Sequence, residues 1–255
     1  MRTREPWCWC WRCRARQRRR ITAALMALIL AAGFLAHEHS TSSHSSPPSA
    51  RTTPAPRPKT TARRAPAPSH ATLEADAAQG LTWASFHGMQ LPASAAGPRN
   101  TLDGLASGFA DTPQGALLAA INIGVRTAAQ WGSAIFVPTI TRQVTGPATP
   151  ALLHAEETSY AQLRAAAHVR PGHPAGKGNA SEIGYRFLSW SPAAATVAVV
   201  TAGPTASGAT VLASTRIQVV WQAGDWRVVA PPGGNWANAA NAISSPLGYT
   251  IFPGR

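Results

Sequence analysis

Apolar residues fall into three regimes along this chain, and each regime predicts a different kind of structure. From Ile21 to Ala36 sixteen residues run without a charge. From His37 to Thr72 large apolar side chains vanish. From Leu73 onward they return with a period, first near 3.6 residues and then near 2.

The helical period is clearest in SGFADTPQGALLAAINIGVRTAAQW. Thr112 stands where an N-cap belongs, Pro113 at the first helical position, and Asp111 beside the positive end of the helix dipole. Leu117, Ala120, Ile121, Gly124, Val125 and Ala128 then share one face. Gly115 and Gly124 each lower helix propensity by roughly 1 kcal/mol relative to alanine, which predicts close packing against another element. A second, shorter helix is predicted from Pro138 to Val144, ended by Gly146-Pro147. A third is predicted from Ala151 to Ala167, with Leu152, Leu153, Tyr160, Leu163 and Ala167 buried. Leu81 to Met89 reads as a short strand or an extended entry segment, while Pro92 to Asn100 and Pro171 to Gly178 read as loops.

Four segments then alternate: Glu182 to Trp190, Ala195 to Ala202, Thr210 to Gln222 and Trp226 to Ala230. In the third, Thr215, Ile217, Val219 and Trp221 share one face and Arg216, Gln218 and Gln222 the other, the pattern of a half-buried antiparallel strand. WQAGDW supplies a tight hairpin around Gly224 that sets Trp221 beside Trp226. The expected fold is α+β: about three helices packed on a curved four-stranded antiparallel sheet over residues 73–232. Residues 233–255 form a C-terminal extension, and Trp236, Ile243, Leu247 and Tyr249 predict that it docks.

Charge decides what the first regime means. Eight arginines precede Ile21, so the positive-inside rule keeps residues 1–20 in the cytoplasm as a basic tail and exports the remainder of the chain. A helix over residues 21–36 spans about 24 Å against a hydrocarbon core of about 30 Å. Two readings lead over a third, a buried soluble helix, for which no tertiary partner explains the arginines upstream. Arg20 and His37 would snorkel to close the gap of a single-pass anchor. Alternatively Ile21 to Leu30 is the apolar heart of a signal peptide with Ala31-Ala32-Gly33 as its cleavage site. Both place the folded part outside the plasma membrane, anchored in the first case and secreted in the second. Residues 37–72 carry the Pro/Ser/Thr composition of a disordered linker, too poor in apolar surface to offset ordering entropy. Fully extended, it would reach on the order of 100 Å.

The same charge pattern argues against nucleic acid as a partner of the folded domain. Of the net charge of +13, residues 1–70 hold thirteen Arg/Lys against two Glu, and residues 71–255 hold ten Arg/Lys against eight Asp/Glu. The basicity belongs to the tail and linker, which fit membrane lipids, while Arg99, Arg126, Arg142, Arg164 and Arg186 are scattered. Cys8, Cys10 and Cys13 offer three thiolates without a fourth ligand, and His37, His39 and His44 lie in a polar tract, so no metal or cofactor is expected.

Candidates for proton transfer are Asp103, Asp111, Glu156, Glu157 and Asp225, with Tyr160 or Tyr185, and His87 in SFHGM. Asp111 is explained as a helix-start residue, Asp225 as a hairpin residue and Glu156-Glu157 as a solvated face. His87 reads as a packed histidine beside a turn glycine. No G-x-S-x-G elbow and no H-E-x-x-H helix occur. The expectation is therefore a protein that is not an enzyme, with no catalytic, cofactor or metal residue assigned.

Trp83, His87-Gly88, Leu91-Pro92-x-Ser94, Gly97-Pro98, Gly108-Phe109, Thr112-Pro113-Gln114-Gly115-Ala116 and the late W-x-x-G-D-W together resemble a family of exported proteins. That family is encoded on conjugative elements of high-GC Gram-positive bacteria. The order of elements is similar to the nuclear-transport-factor-like cone of assembly subunits in type IV secretion and Gram-positive conjugation channels. The resemblance spans Leu81 to Pro232. It implies a bitopic envelope protein that scaffolds a translocation complex, with other membrane or channel subunits as partners and homo-oligomers within reach. Gly108-Phe109 and Thr112-Pro113 read as a turn and a helix start, or as a partner surface anchored by Phe109. The alternative function is a released protein that binds a small molecule or wall polymer in the hollow of the cone.

Overall fold

The computed structural model describes residues 70–254, Ala206 excepted. The basic tail, the apolar segment 21–36 and the linker as far as residue 69 lie outside the described residues. Among the described residues no helix is long and apolar enough to cross a membrane.

Among the described residues four α-helices and nine strands succeed one another: α1 (His70–Ala77), β1 (Thr82–Phe86), β2 (Met89–Ala93), α2 (Pro113–Arg126), α3 (Ser133–Gln143), β3 (Val144–Thr145), α4 (Thr149–Ala167), β4 (Ser181–Ser191), β5 (Ala194–Pro204), β6 (Thr210–Gln222), β7 (Asp225–Val229), β8 (Ala240–Ile243) and β9 (Thr250–Ile251). β1 and β2 form a separate hairpin. The other seven make one sheet of order β3-β7-β6-β5-β4-β9, with β8 on the edge of β6 beyond β7. β3 runs parallel to β7, so the sheet is mixed.

This corrects the expected fold. A four-stranded antiparallel sheet under three helices is overturned by a seven-stranded mixed sheet and a fourth helix, and the nuclear-transport-factor-like assignment built on that element order falls with it. The four long strands are where their alternation placed them. The three additional strands are two to four residues long, too short to carry a period of 2. Their pairing is dictated by neighbours that the local sequence does not see.

Thr112 caps α2, its side chain accepting the Gly115 N–H at 3.1 Å, and Pro113 occupies the first turn. A Cβ on Gly115 would lie 2.0 Å from the Ala110 carbonyl oxygen, so the chain enters this helix along a path that only glycine permits. α3 starts earlier than predicted. The Gly132 carbonyl accepts from the Ile135 and Phe136 N–H groups, and Pro138 falls inside the helix. In α4, Leu152 and Tyr160 are buried, Leu153 and Leu163 half-buried, and Ala167, predicted to be buried, is exposed.

The core lies between the helices and one face of the sheet. Tyr185 and Phe187 of β4, Val197 and Val199 of β5, Ile217 and Val219 of β6, and Trp226 and Val228 of β7 all point into it. α2 crosses this face closely, with a Cβ on Gly124 reaching 3.3 Å from Ile217 Cδ1. The opposite face is crossed by the C-terminal segment. β8 pairs with one edge of β6 and β9 with the outer edge of β4, so residues 244–249 bridge β6, β5 and β4. From β8 to β9 that is four strand spacings of about 4.8 Å, or about 19 Å, which the run spans with a turn at its end where the Tyr249 N–H donates to the Pro246 carbonyl at 3.1 Å. Tyr249 donates to Ser214 Oγ at 2.8 Å, and its ring lies beneath the Arg186 guanidinium at 5.0 Å. Ala198 and Val200, on the face away from the core, are buried beneath this strap.

Candidate functional site

Two groups of side chains carry the chemistry that the sequence motifs single out. The first surrounds the long loop between β2 and α2. The Asp225 carboxylate, at the β6–β7 hairpin, accepts the Gly108 N–H at 2.8 Å through Oδ2. Its Oδ1 accepts the N–H groups of Phe109 at 3.1 Å and Trp226 at 2.9 Å. Gly108 has φ +78°, a conformation that turns two successive N–H groups toward one carboxylate. Trp226 Nε1 donates to the Ala110 carbonyl at 2.8 Å. The Gln143 side chain donates to the Ala106 carbonyl and accepts its N–H. Gln114 accepts from Ser94 Oγ at 2.9 Å and donates to the carbonyls of Ala77 and Gln79. Phe109 is only 3 % exposed. It is an internal plug, and its reading as an anchor for a partner is corrected.

The second group surrounds His87, at the tip of the β1–β2 hairpin with φ 48°. His87 packs edge-on to Phe86 at 4.7 Å and tilted over Trp131 at 5.5 Å. Its carbonyl accepts the Gly178 N–H at 3.0 Å, which joins the tip to the 171–178 loop. That loop is held again where Ala175 donates to Gln130 O and where Tyr160 Oη donates to His173 O. Two clefts meet at the exposed imidazole. One, of about 660 Å³, has an apolar floor of Phe86, Ala134, Ile135 and Pro138 and a rim with Asp103 and Arg142. The other, of about 600 Å³, runs from His87 and Gly88 to Lys177.

Beneath the tip lies a buried cation. Arg126, 4 % exposed, ends α2 with its guanidinium carbon 4.2 Å from the centre of the Phe86 ring. Its Nη1 donates to Asn122 O and Oδ1, while Nε has no partner among the described residues. Burial pulls its pKa down to about 10, so it stays charged at neutral pH. Glu156 accepts the Ala129 N–H at 2.8 Å, and burial, only partly opposed by that bond, raises its pKa to about 7.

Of the candidates for proton transfer, the structure brings only Asp103 and His87 to one cleft. Glu157 and Asp111 are exposed elsewhere. Glu156, read from sequence as solvated, is turned inward onto Ala129. Tyr185 is fully buried and donates to the Glu74 carbonyl, and burial followed by the Glu74 charge raises its pKa. Glu74 itself accepts from Phe187 N and Thr250 Oγ1, both at 2.9 Å, tying α1 to β4 and β9. Sequence reasoning missed Glu74, Gln143 and Arg126. No motif marks them, since Glu74 and Gln143 bond to groups distant in the chain and Arg126, bonded one turn back to Asn122, lies over the ring of Phe86 on another element. The expected hollow is filled by the core side chains, and the open volume lies outside, at the hairpin tip.

Residues 43–251 match the family described as a domain of unknown function, DUF8175, and the chain belongs to that family. No curated protein and no solved structure matches it.

Proposed function

We propose that this member of the DUF8175 family is a non-enzymatic, single-pass membrane protein whose folded domain works outside the membrane. It serves there as a structural or assembly component of a conjugation or type IV-like secretion apparatus, through contacts with other subunits. The observation that carries this reading is the use to which the polar motif residues are put. Asp225, Gln114, Gln143 and Glu74 are bonded to backbone groups of distant segments, the arrangement of a rigid platform. At the His87 tip an apolar floor is rimmed by Asp103 and Arg142, a composition suited to gripping a polypeptide. The eight arginines ahead of residue 21 support the topology, and the resemblance of the motifs to those of exported proteins of conjugative elements supports the setting.

Affinity purification of the intact protein from membranes, with and without its first 36 residues, tests this. The intact protein is expected to need detergent for extraction, to keep Met1 and to bring channel subunits with it. His87→Ala with Arg142→Glu is expected to weaken that association. A reporter fused behind Arg255 that is active only in the cytosol would overturn the topology.

The clefts favour a second reading. They are open recesses at the surface beside His87, where a released protein could hold a wall polymer or a small molecule. A mature N-terminus at Phe34 and release by salt alone support it.

A further inference from the structure

We infer that the outer face of the sheet, on the side away from the helices, is a docking surface for an acidic segment of a partner protein. The inference rests on the reading of the domain as a docking module and names a second surface of it. Alternation places Arg186 of β4 between the core residues Tyr185 and Phe187, and Arg216 of β6 beside the core residue Ile217. Both arginines therefore face outward. Both pair with Ala198 of β5, one from each side, which separates their backbones by two strand spacings, about 10 Å. Arg227 of β7, opposite Val220, is a third arginine of this face, and it reaches round the edge to the Arg142 carbonyl.

Among the described residues no carboxylate answers these charges. The eight acidic residues of that part lie elsewhere: Glu74 and Asp76 on α1, Asp103 and Asp111 in the loop before α2, Glu156 and Glu157 on α4, Glu182 against the core-side Thr201, and Asp225 at the hairpin. Arg186 makes its contact with the Tyr249 ring, and neither Arg186 nor Arg216 has a carboxylate partner among the described residues.

The strap supplies the other half of a recognition surface. Tyr249 lies between Arg186 and Ser214, which pins it over the middle of the face. Leu247, two residues earlier in the strap, is 90 % exposed. Ile251, 44 % exposed, has its Cδ1 3.3 Å from where a Cβ on Gly184 would project, which sets it on the same face. Arginine and tyrosine are enriched at protein hot spots, and the exposed aliphatic side chains add apolar area beside them. Uncompensated positive charge selects an acidic occupant, and the apolar pair selects a polypeptide over a bare phosphate polymer.

The test uses the full chain in detergent micelles and a fluorescent, end-capped peptide of alternating glutamate and leucine. A lysine–leucine peptide and phosphatidylglycerol vesicles serve as comparisons. The wild type is expected to bind the acidic peptide, and Arg186→Glu with Arg216→Glu to weaken it by about ten-fold or more. Arg216→Gln, which leaves the Arg186–Tyr249 stack in place, is expected to show a smaller loss. The basic tail is intact in every variant and adds the same background to each, so the difference between variants reads the sheet face. Equal affinity of wild type and double variant overturns the inference. So does a double variant that loses vesicle binding and keeps the peptide. Failure of the wild type to co-purify with channel subunits while the peptide effect persists sinks the apparatus reading and leaves this surface standing.

Discussion

Asp225 Oδ2 accepts the N–H of Gly108 at 2.8 Å, across a separation of 117 residues. Through this bond and those to Phe109 and Trp226, the β6–β7 hairpin holds the loop that leads into α2. Two motifs far apart in the chain are thus two halves of one clasp. Asp225→Ala leaves three N–H groups without their acceptor and is expected to cost about 2–4 kcal/mol. Asp225→Asn, which keeps one acceptor oxygen, is expected to cost about half as much. Urea denaturation of the full chain measures both, and a cost below about 0.5 kcal/mol for the alanine variant, the range of an ordinary surface change, would refute the clasp.

Gly115 and Gly124 both lie in α2, yet their replacement by alanine is expected to give opposite results. At Gly115 the new methyl would meet the Ala110 carbonyl at 2.0 Å, and the fixed loop leaves it nowhere to go. A loss of about 3 kcal/mol or more is expected. At Gly124 the neighbour is the far end of the Ile217 side chain at 3.3 Å, and the gain in helix propensity, about 1 kcal/mol, offsets a small shift. Thermal melts of the two variants distinguish the environments.

Glu156 gives the domain a pH dependence whose sign comes from burial. Its folded pKa, about 7, lies above the ordinary value of 4.5, so the protonated form is the one that folding favours. This contribution is fully present below about pH 4.5 and is lost as pH rises through 7. Because the side chain keeps partial contact with solvent, the loss is set at about 1–2 kcal/mol. Glu156→Gln retains an acceptor for the Ala129 N–H and is expected to flatten stability between pH 5 and 8. An unchanged slope in that variant, by melting at several pH values, would assign the dependence to another group.

Tyr249→Phe removes the bond to Ser214 Oγ and keeps the ring beneath Arg186, for an expected loss of about 1 kcal/mol. Tyr249→Ala removes both and is expected to release the strap. Hydrogen exchange should then quicken at β9 and at Phe252, whose N–H donates to the Ile183 carbonyl at 3.0 Å, while β5 stays protected.

Short-range physics is legible in the unfolded string of residues. Thr112 and Pro113 start α2 because a cap and a fixed φ act within one turn. Alternation sorts Arg216 and Gln218 from Ile217 and Val219 because side chains on a strand leave opposite faces. The remainder had to wait for folding. β3, β8 and β9 become strands because long neighbours offer them free edges, and two to four residues hold no periodic signal. The Phe109 backbone is held, and Glu74 becomes a tie, through groups more than a hundred residues away that meet them only after folding. The His87 site divides in the same way. The glycine beside it announced a turn, whereas the clefts on either side exist because α3 and the 171–178 loop come to rest there.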